Sequence, residues 1–183
     1  MTRAYICDEA DALLARDVIF DRKYWDLLDL GDIADETVEA DICARLPEHL
    51  HEGAVLAYRN WIHHIPLITG IEDAVTLAKE RAEGLYLLSN ISPYFSAHYK
   101  ENPTVARVLA PFDGLVFSDD LHLVKPDHRI FEYLLNQYGL CAEETVFIDD
   151  SEKNIAGAKA VGLQTYLFDG DAEKLKAYLN TVL

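Results

Sequence analysis

A chain of 183 residues, half of them apolar, is long enough for one core-building domain with a small accessory unit. Its formal net charge is −16 and no basic cluster offsets it, which excludes nucleic acid or another polyanion as the expected partner. A small phosphate ester remains compatible with that charge if a divalent cation and one or two local cations meet it.

Cys7, Cys43 and Cys141 are widely spaced and form no C-x-x-C pair. That pattern argues against a disulfide framework or a zinc site and for a reducing, cytoplasmic setting; all three are expected to be small buried residues. No apolar stretch approaches the ~18 residues of a membrane span, and no apolar signal region opens the chain. A soluble monomer or homodimer is expected.

Residues 1–64 read as helices. Ala10, Leu13, Leu14 and Val18 share a helical face, and residues 33–46 and 51–62 repeat the helical period. Asp35, with Val38 and Glu39 behind it, marks a helix start. From Pro66 the texture alternates. Residues 71–83 predict a helix closed by Gly84, and the run Leu85-Tyr86-Leu87-Leu88 predicts a buried strand. A helix over 93–100, a strand over 114–117 and a helix over 129–138 closed by Gly139 follow. A strand over 145–148, a helix over 152–161 closed by Gly162, a strand over 164–168 and a last helix over 172–183 complete the chain. Strands alternating with helices predict an α/β fold, a doubly wound parallel Rossmann-like sheet, with residues 1–64 as a small helical unit and 65–183 as the core.

In such a sheet the chemistry gathers at the carboxyl ends of the strands. Ser89 and Asn90 fall there, as do Asp149 and Asp150. A hydroxyl and free backbone N–H groups at a strand end suit phosphate oxygens, although Ser89-Asn90 also suits a turn before the helix at Pro93. Adjacent carboxylates repel each other, and a bound Mg2+ would offset that; an aspartate here also suits a helix N-cap. Lys125 precedes Pro126 in a loop and would serve as a point cation, or lie solvated at the surface. The small residues of Asn154-Ile155-Ala156-Gly157-Ala158 permit close helix packing.

These residues, in this order, resemble three of the four motifs of the haloacid dehalogenase (HAD) superfamily of phosphohydrolases. The phrases Leu123-Val124-Lys125-Pro126-Asp127-His128-Arg129-Ile130-Phe131 and Phe147-Ile148-Asp149-Asp150-Ser151-Glu152-Lys153-Asn154-Ile155 carry the resemblance. The helical part, with Tyr24-Trp25-Asp26 and Leu30-Gly31-Asp32-Ile33, resembles the cap of small-cap phosphatases similar to α-D-glucose-1-phosphate phosphatase and the phosphatase domain of soluble epoxide hydrolase. The resemblance implies Mg2+-dependent hydrolysis of a small phosphorylated metabolite, a sugar phosphate among the candidates, through an aspartyl-phosphate. It implies Ser89 and Asn90 as phosphoryl ligands, and Lys125 as the cation that steadies the nucleophile and the transition state. Asp150 would be the direct metal ligand, with Asp149 supporting it.

The remaining motif, an apolar strand followed by D-x-D-G or a close variant, has no clear match. Ala4-Tyr5-Ile6-Cys7-Asp8 is followed by Glu9-Ala10-Asp11, and Val18-Ile19-Phe20-Asp21 by Arg22-Lys23-Tyr24. Residues 11–20 read better as a cap helix. The chain is therefore expected to begin inside the cap without a recognisable nucleophile. Its central first strand would be absent, or replaced by residues 2–7 or by a strand from elsewhere. A non-catalytic HAD-like protein that binds a phosphometabolite or a protein partner is the first alternative. A carbon dehalogenase and a response-regulator receiver rank below it.

Among other residues, Trp25 and Trp61 are expected in the cap core. His63 and His64 are expected at a hinge or surface, Asp119 and Asp120 in a turn, and His122 and His128 in solvent.

Overall fold

The computed structural model describes residues 9–21 and 23–183; Cys7, Asp8 and the run from residue 2 to 7 lie outside the described residues. The first part is helical, as its periodicity predicts: α1 (Glu9–Ile19), α2 (Trp25–Asp29), α3 (Asp35–Arg45) and α4 (His51–Asn60), which continues into a 3-10 turn at Trp61–His64. Its core gathers Ile19, Leu28, Val38, Ile42, Leu46, Leu50, Ala54 and Tyr58.

The inward face of α1 is not the expected one. Ala15, Val18 and Ile19 pack inward, while Leu13 and Leu14 remain exposed. Arg45 and Lys23 tie Asp41, and Arg45 also pairs with Asp21, so Asp21 is spent on this helical part. Asp35 starts α3, but its carboxylate accepts the Tyr58 hydroxyl at 2.7 Å rather than capping the helix. Burial raises the Asp35 pKa above its ordinary value.

The alternating part follows with α5 (Ile71–Arg81), β1 (Tyr86–Ser89), α6 (Pro93–His98), α7 (Pro103–Leu109), β2 (Gly114–Phe117) and α8 (Ser118–Leu121). Then come α9 (His128–Tyr138), β3 (Val146–Asp149), α10 (Glu152–Ala160), β4 (Gln164–Leu167) and α11 (Ala172–Val182). Gly139 takes the left-handed conformation that closes α9. Gly84 does not close α5, which stops at Arg81; the Tyr86 ring lies where a Gly84 side chain would stand. The pair α7 and α8 went unread in the sequence. Asn102 caps α7 by accepting the N–H groups of Thr104 and Val105.

The strands pair in parallel, as expected, and among the described residues they form two ladders. β1 runs beside β2 with Leu88 opposite Val116, and β3 beside β4 with Ile148 opposite Tyr166. Both ladders lie between the same two helical layers. On one face Leu88, Val116 and Phe147 bury against Ile130, Phe131 and Leu134 of α9 and Ile155 and Ala158 of α10. On the other, Leu85 and Ile148 pack against Ala74 and Ala78 of α5 and Leu175 and Leu179 of α11.

The helical part meets the first ladder. Trp61 stacks on Phe95 with ring centroids 5.7 Å apart, so it joins the α/β core and not the cap core; Trp25 is exposed. Ser118, fully buried, donates its hydroxyl proton to Asp29 O and accepts Ile91 N at 3.0 Å. Gly31 adopts φ +69° and approaches so closely that a Cβ would lie 2.7 Å from Asp119 O. Asp119 is buried there and accepts Ser96 Oγ at 2.6 Å, which corrects the simple turn reading. Cys141 is exposed and Cys43 half-buried, against the expectation of burial. No helix among the described residues is long and apolar enough to cross a membrane.

Candidate functional site

The carboxyl ends of β1 and β3 converge on Lys125, in the loop between α8 and α9. Its Nζ donates to Leu88 O at 2.9 Å and to Asp149 Oδ2 at 2.8 Å, and lies 5.5 Å from the centre of the Phe147 ring. The Lys125 side chain is 10% exposed and that of Asp149 7%, so the surface-lysine reading does not hold. A buried ion pair is tolerated when both partners complete their hydrogen bonds. Asp149 does so: Oδ1 accepts Ser151 N at 2.9 Å and Asn154 Nδ2 at 3.0 Å.

Two local devices fix the lysine. The Asn90 side chain grips its backbone from both directions, with Nδ2 donating to Lys125 O at 3.0 Å and Oδ1 accepting Lys125 N at 2.8 Å. From the other side α10 closes in, because Gly157 lacks a side chain; a Cβ there would lie 2.6 Å from Pro126 O. The small residue was legible in the sequence, but its partner is the Lys125-Pro126 turn as much as the sheet. The loop then enters α9 through Asp127, which accepts Arg129 N at 2.9 Å as N-cap. The Arg129 guanidinium holds the Asp127 carboxyl down at about 2.

Asp150 differs from its neighbour. It is exposed just beyond β3, and no hydrogen bond or ion pair engages its carboxylate among the described residues. Ser89 ends β1, half-buried, with its hydroxyl unengaged by any described residue. The structure thus gathers Ser89, Asn90, Lys125 and Asp149 around one strand-end mouth and leaves Asp150 at its rim. Sequence reasoning missed the side-chain role of Asn90 and the part played by Asn154. The position of Asn154, in the first turn of the helix after Asp149-Asp150, was the available signal.

Other candidates lie elsewhere. His63 and His64 are exposed in the turn after α4, and His122 and His128 are exposed on either side of the lysine loop. An open apolar groove of about 640 Å3 runs beside α4, lined by Phe20, Leu56, Ala57, Trp61, Ile65 and Pro66 among others, and includes none of the five site residues. Among the described residues no group of three His, Cys, Asp or Glu side chains is arranged to hold a metal ion. A cation at this mouth would lean on Asp150, a ligand's oxygens and water, which fits the habit of Mg2+ and not that of zinc.

The model of the haloacid dehalogenase-like hydrolase family matches residues 6–162. The chain belongs to this family. Among solved structures, this HAD-like chain is similar to a predicted HAD-like family hydrolase from Porphyromonas gingivalis. The TM-score is 0.68 at 25% identity, covering 93% of this chain and 85% of that one. A HAD family enzyme from Bacteroides thetaiotaomicron, solved as an alanine variant with magnesium and inorganic phosphate, shares the fold. Its TM-score is 0.64 at 22% identity over 86% of this chain and 82% of that one. The D-ribitol-5-phosphate phosphatase of Bacteroides thetaiotaomicron is 29% identical over 100 residues, 53% of this chain and 48% of that protein. The HAD-like chain spans about a quarter to just over half of the length of the curated phosphatases it matches.

Proposed function

We propose that the mouth between the two ladders handles the phosphoryl group of a small phosphate monoester, with Mg2+ as cofactor, in the manner of small-cap HAD phosphatases. The observation that carries this reading is the buried Lys125–Asp149 pair, which sets a fixed cation beside Ser89 while Asp150 stands unengaged at the rim. The family match and the phosphatases among its relatives support the same class.

The Ser89 hydroxyl and the Asn90 backbone N–H donate to phosphoryl oxygens, and Lys125 balances the charge that develops there. Asn90, through its side chain, and Asp149 keep Lys125 from swinging. Mg2+, when bound at Asp150, would neutralise phosphate charge and orient its oxygens. Hydrolysis through an aspartyl-phosphate also needs an attacking carboxylate next to Lys125. Asp149 is engaged at both oxygens and Asp21 is paired with Arg45. Among the described residues neither Asp149 nor Asp21 is thus free to attack, which favours the second reading, a HAD-like protein that binds a phosphometabolite without turning it over.

Hydrolysis of p-nitrophenyl phosphate by the folded chain and by folded Asp150→Asn, with and without Mg2+, tests the proposal. Mg2+-dependent turnover lost in the variant supports the phosphatase. Mg2+-dependent phosphate binding without turnover supports the second reading. Neither turnover nor binding overturns both.

A further inference from the structure

The carboxyl end of β2 delivers Ser118 to the loop that follows β1. Phe117 lies opposite Ser89, so Ser118 stands one residue beyond the ladder, and its Oγ accepts Ile91 N at 3.0 Å. The side chain is fully buried, and a hydroxyl there has one proton to give and two lone pairs to offer. Two carbonyls compete for that proton. Asp29 O, at the end of α2 in the helical part, is the closer; Ile91 O, in the loop itself, lies at 3.4 Å. The backbone of Ser118 is committed as well, since its carbonyl accepts His122 N and Leu123 N and turns the chain toward Lys125. Ile91 in turn adjoins Asn90, whose side chain holds both backbone groups of Lys125.

The Ser118 proton reaches Asp29 O only while the turn after α2 is seated against α8. Gly31 permits that seating, because its φ of +69° and its approach to Asp119 O leave no room for a Cβ. With the turn withdrawn, the proton passes to Ile91 O, and that rotation re-aims the lone pair that holds Ile91 N. We infer that Ser118 is a positioning residue of the phosphoryl site, acting through Ile91, and that the seated turn at 29–31 sets phosphate affinity through it without touching the ligand. The identity of the bound group rests on the phosphoryl reading; the coupling of turn to loop does not.

Amide hydrogen exchange and NMR of the ligand-free full chain read the coupling first; titration with inorganic phosphate in Mg2+ follows. The variants are Gly31→Ala, Ser118→Ala and the two together. Leu28→Ala, which loosens α2 from its core, replaces Gly31→Ala if that variant does not fold. Ser118→Cys, which exchanges a strong donor for a weak one, likewise replaces Ser118→Ala. Gly31→Ala should speed exchange of the Ile91 amide about tenfold, the weight of one buried hydrogen bond, and shift the Asn90 side-chain amide signals. In the Ser118→Ala background it should add nothing. Phosphate affinity should fall about tenfold in each single variant and no further in the double. Ala78→Gly, which loosens the packing of α5 on α11, should leave that affinity unchanged. An unmoved Ile91 amide in Gly31→Ala, full additivity of the two changes, or an equal loss of affinity in Ala78→Gly overturns the inference. A native chain that binds no phosphate overturns the phosphoryl reading and with it the place of Ser118 in that site, while the Ile91 amide still decides the coupling.

Discussion

The two ladders have the same length and direction but bring different chemistry to the mouth between them. β1–β2 ends in a hydroxyl and an amide, Ser89 and Asn90, and is tied to the helical part through Ser118–Asp29 and Trp61–Phe95. β3–β4 ends in two carboxylates and runs directly into α10. Neutral donors thus stand on one side and acids on the other, and a lysine from the connecting loop touches both. The lesson is one of division. Adjacent aspartates take separate roles because the lysine, an amide and Asn154 consume Asp149, while Asp150 keeps its lone pairs.

Removing the acid that meets the lysine should break this arrangement most severely. Asp149→Ala leaves Lys125 buried without a counter-ion and should cost about 3–5 kcal/mol, read as a lower urea midpoint. Gly157→Val pushes α10 off the Lys125-Pro126 turn. It should cost about 1–3 kcal/mol through overpacking, with loss of phosphate affinity as a second readout. Asn90→Ala removes both bonds to the Lys125 backbone and should cost about 1–2 kcal/mol by the same measurement. Asp150→Asn should leave stability within about 0.5 kcal/mol, which sharpens the contrast with Asp149.

A pH-dependent effect concerns α9, which follows the lysine loop and precedes β3 in the chain. Asp127 is held down at about 2, below its ordinary 3.8, so its contribution is complete above the ordinary value and fades as pH falls toward 2. Urea midpoints of native chain and Asp127→Asn should therefore differ above pH ~4 and converge as pH drops through 2.

The sequence made the strands legible because short apolar runs end at polar residues; 85–88 and 145–148 each fall one residue before the observed β1 and β3. The pairing of the described strands as two ladders was not legible, since pairing depends on tertiary contacts. Periodicity alone placed Leu13 and Leu14 inward with Val18, although the packing of α1 in its cluster selects Ala15 and Ile19 beside Val18. Trp61 was assigned to the wrong core because only the fold brings Phe95 beneath it. Ser89, Lys125, Asp149 and Asp150 were recognisable as types at strand ends. The Asn90 grip and the Gly157 approach are tertiary, joining segments 35 and 31 residues apart, and no local pattern encodes them.

The most direct measurement of the central claim is NMR of the aspartate carboxyl carbons while Mg2+ and inorganic phosphate are titrated onto the folded chain. The account predicts that phosphate binding requires Mg2+, that the Asp150 signal moves while that of Asp149 holds, and that Asp150→Asn abolishes the response without unfolding the protein. Phosphate binding unchanged in Asp150→Asn, or a cation response centred on Asp149, would contradict it.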